Sequence, residues 1–180
     1  RAWGTAVATK AEAPDAGIQK PGKPKPGVLK PGDKAPSFKL ATDSGGSVAS
    51  SSLKGQPYVV YFYPKDDTTG CTKEAIGFSE AKRKFDALGV AVIGVSKDST
   101  ASHDKFKAKH KLKLTLGSDP DTALAQAYGV WMEKSLYGRK YMGMDRSTFL
   151  VDAKGVIREI WRKVKVPGHV EAVLTAAKAL

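Results

Sequence analysis

The 180-residue sequence contains a single cysteine, Cys71. No disulfide can form within the chain, and a cysteine-rich zinc module is excluded. Histidine is also scarce. His103, His110 and His169 show no metal-ligand spacing with Cys71 or with one another, so no metal is assigned. No apolar run exceeds the stretch from Tyr58 to Tyr63, far short of the roughly 20 residues that a membrane-crossing helix needs. Acidic residues are in the minority, 18 against 30 Lys and Arg, which gives a net charge of +12. Both the first 34 residues and the remainder carry part of that excess. A surface of this kind attracts polyanions weakly, but a nucleic-acid module needs a motif as well, and none is present.

What remains is ordinary for a globular domain, with 41% apolar and 27% charged residues. The chain divides by composition. Residues 1–34 read as a flexible arm rich in Lys, Pro and Gly, with Pro21, Pro24, Pro26 and Pro31 closely spaced. Such spacing blocks helix and favours extended, solvated chain. The arm is either a spacer, a contact to an anionic surface, or a tether. The first residue is Arg1 and not Met. Together with the arm, this points to export or organelle import followed by trimming as an expectation for localisation.

From residue 35 to residue 180 one domain is expected. Ser37–Leu40 reads as a short strand. Tyr58–Tyr63, rich in β-branched and aromatic residues, reads as a buried central strand, and Val90–Ser96 as a second buried strand. The segment Cys71–Leu88 between them has apolar residues at helical spacing, with Gly89 as a C-cap. Two strands joined by a helix imply a parallel βαβ unit with a right-handed crossover. Further elements are a helix capped by Ser99 or Thr100, a strand at Leu114–Gly117 and a short helix at Thr122–Tyr128. A strand pair at Ser147–Asp152 and Val156–Val164 and a closing helix at Pro167–Leu180 complete the order. The fold class is α/β, a central mixed sheet flanked by helices.

Cys71 stands between a strand-loop and a helix. The first turn of a helix offers unpaired N–H groups and the positive end of the dipole, which favour a thiolate. Thr68, three residues earlier, places a hydroxyl nearby. Position alone leaves two readings open, a reactive thiol or a small buried hydrophobe. The surrounding string is more specific. Pro64, Thr68 and Cys71 match the Pro-x-x-x-Thr-x-x-Cys pattern of peroxiredoxins, and Gly70-Cys71-Thr72 resembles the bacterioferritin-comigratory, or Q-type, branch. A second segment, from Tyr128 through Gly143, is similar to the same branch. Arg146-Ser147-Thr148-Phe149-Leu150-Val151-Asp152 resembles the segment that carries the family's active-site arginine. The likeness spans about residues 28–180.

That resemblance implies a thioredoxin-like fold and thiol-dependent reduction of hydrogen peroxide and organic hydroperoxides, without metal or organic cofactor. It makes Cys71 the peroxidatic nucleophile. Thr68 and Arg146 become its catalytic partners and, with Pro64, the peroxide-binding residues. It implies a thiol reductant (thioredoxin, glutaredoxin or glutathione) and a monomer. Arg146 has a simpler alternative as a surface ion-pair partner, and Thr68 as a helix cap. Glu74 either pairs with Arg146 or answers the helix dipole, and the dipole is favoured. The Lys105–Lys113 run reads as a solvated helix face. Trp131, Tyr137 and Met142 either wall the pocket or pack in the core.

One departure matters. Many members of the branch carry a resolving cysteine five residues after the first, and here that position is Ile76. A sulfenic acid on Cys71 would need an external thiol. The alternative function is a peroxide sensor or redox-regulated binding protein using the same sulfur. A long-lived sulfenic acid is open to further oxidation. Excess peroxide is therefore expected to add two oxygens to Cys71 and inactivate the protein. Intact-mass spectrometry checks this, and an unmodified Cys71 counts against it.

Overall fold

The computed structural model describes residues 29–180. Most of the expected 1–34 arm thus lies outside the described residues. The body nevertheless starts before the composition break at residue 35. Gly32 N–H donates to Ile157 O (2.8 Å), Ile157 N–H to Asp33 O (2.8 Å) and Ala35 N–H to Gly155 O (2.9 Å), while Leu29 packs on the core. The backbone hydrogen bonds of this stretch go to a sheet edge, which its proline-rich composition does not reveal.

Seven strands form the main sheet: β1 (Lys39–Thr42), β2 (Ser47–Ala49), β3 (Tyr58–Phe62), β4 (Ala91–Ser96), β5 (Thr115–Ser118), β8 (Ser147–Val151) and β9 (Ile157–Trp161). Their spatial order is β2-β1-β5-β4-β3-β8-β9. β3, β4 and β5 are parallel, and the remaining pairings are antiparallel, so the sheet is mixed as expected. β3 lies inside the sheet and is buried on both faces. Val59 and Tyr61 enter one core with Tyr63, while Tyr58, Val60 and Phe62 enter the other.

The first core lies under α1 (Thr69–Ala87), α2 (Thr100–His110) and α4 (His169–Lys178), and the second under α3 (Ala123–Ala127). α1 buries Cys71, Ala75, Phe78 and Phe85, one stripe at intervals of four, three and seven residues. Gly89 ends it at φ +72°, where Val90 N–H reaches back to Phe85 O at 3.0 Å. Ser99 Oγ caps α2 by accepting from Ser102 N–H at 3.1 Å.

Several expectations shift. α1 begins at Thr69, two residues before Cys71, which still leaves Cys71 in the first turn. β1 begins at Lys39, two residues later than expected, and β9 is shorter than Val156–Val164. The 131–144 segment folds as a separate hairpin, β6 (Trp131–Leu136) against β7 (Arg139–Met144). Its tip residue Tyr137 is 97% exposed and Met142 is about half exposed, so neither is a core residue. Strict apolar–polar alternation is missing there, because much of the hairpin faces solvent on both sides.

Phe78 holds the α1 side of the core together. It is fully buried, stacked on Tyr61 at 4.6 Å between ring centroids, and within 6.0 Å of the Phe85 ring. Phe78→Ala is expected to cost about 3–5 kcal/mol of stability, measured by denaturant unfolding. A loss below about 1 kcal/mol would show that the site collapses freely.

Candidate functional site

β3 ends at Phe62, and the chain then runs through Tyr63 and Pro64 into the loop that opens α1. Residue 146 directly precedes β8. Because β8 pairs antiparallel with β3, with Phe62 opposite Ser147, the two segments arrive at the same end of the sheet. Topology thus brings together residues 75 positions apart. Arg146 Nη2 lies 3.3 Å from Cys71 Sγ, and Arg146 Nη1 donates to Glu74 Oε1 at 2.7 Å.

The backbone around Arg146 is tied down. Asp145 N–H donates to Val130 O (2.7 Å), and Val164 N–H donates to Arg146 O (2.9 Å). Ser147 Oγ–H donates to Asp145 Oδ2 at 3.1 Å. Gly70 leaves room for the guanidinium, since a Cβ there would sit 3.1 Å from Arg146 Nη2. A residue other than glycine would press on the group that faces the sulfur.

Cys71 is 1% exposed. It is the third residue of α1, among the N–H groups that have no intrahelical acceptor. Thr68 holds the N-cap position with extended backbone, but its hydroxyl makes no capping bond. Instead it donates to Lys65 O at 3.0 Å, which leaves the oxygen's lone pairs free to accept from a ligand. The Thr68 side chain is exposed and Pro64 is half-buried at the start of the loop. Ile76, at the position where a resolving cysteine would stand, packs against the core around α1.

Glu74 overturns the dipole expectation. It is the sixth residue of α1, beyond the first turn, and wholly buried. A buried carboxylate needs a partner, and Arg146 is that partner. Burial pushes the Glu74 carboxyl up to about 7, against the pull of Arg146. Its Oε2 has no hydrogen-bond partner among the described residues. Arg146 keeps its charge firmly. Burial works against it, yet Glu74 and Cys71 together raise it above its ordinary value. Behind the site, His169 Nε2 shares a 2.7 Å hydrogen bond with Thr148 Oγ1. Burial, and then the Arg146 charge, lower His169 to about 4. The sequence holds no signal for His169, which comes from the far end of the chain.

The arrangement sets one permanent positive charge against a sulfur that stands in the first turn of a helix. It suits an anionic sulfur and a polar molecule that takes charge from it. The folded-state rise of Glu74 carries a stability consequence. A carboxyl raised from 4.5 to about 7 favours the fold fully below its unfolded value, and that contribution is lost as pH climbs through about 7. Between pH 4.5 and 8, wild-type protein should therefore lose up to about 3 kcal/mol relative to Glu74→Gln. Urea unfolding of both across that window measures the difference, and parallel curves would refute it.

Comparison with known proteins agrees with this geometry. A model of the AhpC/TSA family matches residues 31–160. A putative peroxiredoxin Bcp of Coxiella burnetii is 50% identical over 141 residues, covering 78% of this chain and 93% of that one. The peroxiredoxin Bcp of Bacillus subtilis is 47% identical over 145 residues, covering 81% and 92%. Among solved structures, the bacterioferritin comigratory protein of Xanthomonas campestris, solved as trapped-intermediate and ligand complexes, superposes with a TM-score of 0.76. It is 44% identical and covers 79% of this chain and 90% of that one. A cysteine-to-serine variant of PrxQ from Xylella fastidiosa superposes at 0.80 with 39% identity, covering 84% and 96%. These likenesses and the mixed sheet agree on a thioredoxin-like fold, and the chain belongs to the AhpC/TSA family, among its Bcp and peroxiredoxin Q members.

Proposed function

We propose that this protein is a thiol-dependent peroxidase that reduces hydrogen peroxide and organic hydroperoxides through Cys71 alone. The observation that carries the reading is the Arg146 guanidinium, shared between Cys71 Sγ at 3.3 Å and Glu74 at 2.7 Å. The Xanthomonas relative is described by its alkyl peroxide reduction activity, which supports the substrate class.

The chemistry follows from the side chains. The Cys71 thiolate attacks the hydroxyl-bearing oxygen of ROOH. The S–O bond forms as the O–O bond breaks, and RO⁻ leaves and takes a proton to become ROH. Sulfur, oxidised by two electrons, is left as Cys71–SOH. Thr68 Oγ, its own hydrogen committed to Lys65 O, accepts from the peroxide O–H and fixes the attacked oxygen. Arg146 faces the charge as it passes from sulfur to the leaving oxygen. Its donors are held before the reaction starts, so little reorganisation accompanies the transition state. Pro64 shapes the loop and shields the sulfur.

With Ile76 at the position of a resolving cysteine and a single cysteine in the sequence, no internal thiol resolves the sulfenic acid. One external thiol displaces water from Cys71–SOH to give a mixed disulfide. A second releases Cys71–SH and leaves as the external disulfide. Because Cys71 is buried, the first turn of α1 opens for that exchange. Glutathione, a glutaredoxin and thioredoxin all supply such thiols.

The test is peroxide consumption by the reduced protein with dithiothreitol, glutathione or a thioredoxin system supplied in turn. Multiple turnovers that Cys71→Ser abolishes are expected. Arg146→Lys, which keeps the charge but loses the two-armed geometry, should slow Cys71 oxidation by about 10²-fold. One stoichiometric oxidation without turnover under every reductant would contradict the peroxidase reading and favour a peroxide sensor.

A further inference from the structure

Behind the loop that carries Pro64, Thr68 and Cys71 lies a buried imidazole that the chemistry above does not use. His103, on α2, is wholly buried. Its Nδ1 is 2.7 Å from Asp66 Oδ2 and its Nε2 is 2.9 Å from Gly117 O on β5. A carbonyl oxygen only accepts, so Nε2 carries a proton. Asp66 is already crowded with donors. Its Oδ1 accepts from Tyr63 O–H (2.6 Å) and its Oδ2 from Ser102 O–H (2.8 Å). A carboxylate that accepts at both oxygens suits a protonated Nδ1 as the third donor.

Asp66 is the midpoint of the segment between Pro64 and Thr68. Its backbone N–H donates to Asp98 Oδ2 at 2.8 Å. The next residue, Asp67, takes the left-handed conformation at φ +60° and accepts from Lys109 Nζ (2.7 Å) and from His110 Nε2 (2.8 Å), again from α2. α2 thus grips this loop at two consecutive residues. The second grip is solvent-exposed and contributes little. The first is dry and reaches through to the sheet.

We propose that His103, as a buried imidazolium bridging Asp66 and the Gly117 carbonyl, is the positioning residue that holds the Pro64–Cys71 loop in its peroxide-reducing geometry. The proposal rests on the peroxidase reading. Thr68 and Cys71 follow Asp66 by two and five residues, so a loosened Asp66 moves both reacting groups relative to Arg146, which is anchored separately just before β8. The charged and titratable groups facing His103 are Asp66, Asp98 from the β4–α2 connection, and Tyr63 from the end of β3. Burial alone would lower the imidazole. The hydrogen bond and charge of Asp66, the Gly117 carbonyl and the Asp98 charge outweigh burial and raise it above its ordinary value. When the ring loses a proton at alkaline pH, one of its two bonds loses its donor and the loop is released.

Two measurements test this. In wild-type protein, nitrogen NMR of the histidine rings at pH 7 is expected to show both His103 nitrogens protonated. A singly protonated His103 ring overturns the proposal, whether or not the protein reduces peroxide. Stopped-flow oxidation of Cys71 by peroxide, followed from pH 6 to 10, is expected to fall at alkaline pH in wild type. His103→Gln, which can donate to Asp66 or to Gly117 but not to both, should be slower at pH 7 by roughly ten- to a hundredfold and lack that alkaline fall. A folded His103→Gln with the wild-type rate and pH profile overturns the proposal. Failure of the peroxidase reading would show differently, as a wild-type Cys71 that peroxide does not oxidise at any pH.

Discussion

One guanidinium placed between a sulfur and a buried carboxylate sets the terms for the rest of the site. Arg146 does two jobs with two nitrogens. Glu74 draws Arg146 inward and fixes its orientation, which an exposed guanidinium on a flexible stem would not keep. Burying Glu74 is costly without that partner, and the raised carboxyl records the cost. The sheet makes the meeting possible, because the β3–β8 pairing delivers the loop before α1 and the start of β8 to one end. Gly70 then removes the one side chain that would stand in the way.

The surroundings restrain both sides of this contact independently. On one side, backbone bonds from Asp145 and Arg146 reach Val130 and Val164. On the other, α2 grips Asp66 and Asp67. Reactivity at Cys71 needs that rigidity during attack on peroxide. Exchange with an outside thiol needs the opposite, since a 1% exposed sulfur has no room for a second thiol. Ile76, partly buried against the core around α1, offers no second sulfur for that exchange.

Much of this was legible in the residues. The β-branched and aromatic run from Tyr58, the helical stripe of Ala75, Phe78 and Phe85, and Gly89 each state a local rule that the fold obeys. The Pro64, Thr68 and Cys71 spacing, with Arg146 far downstream, marked the residues that the structure gathers or places nearby. What stayed hidden depends on contacts that no local pattern encodes. Glu74 looks like any acidic residue early in a helix until its burial is known. His103 and Asp66 are 37 positions apart and meet only because α2 packs across the loop. The β6–β7 hairpin exposes both faces and so lacks the alternation that announces a strand. Thr68 sits where a cap belongs, yet its hydroxyl turns to Lys65, a choice of rotamer and not of sequence.

The central claim is that Cys71, Arg146 and Glu74 act as one unit. A double-mutant cycle tests it most directly, by measuring the rate of Cys71 oxidation by peroxide in wild type, Glu74→Gln, Arg146→Lys and the double variant. If Glu74 works through Arg146, the double variant will be no slower than Arg146→Lys alone, a clear departure from additivity. Losses that simply multiply would show that the two residues act independently, and would contradict the account.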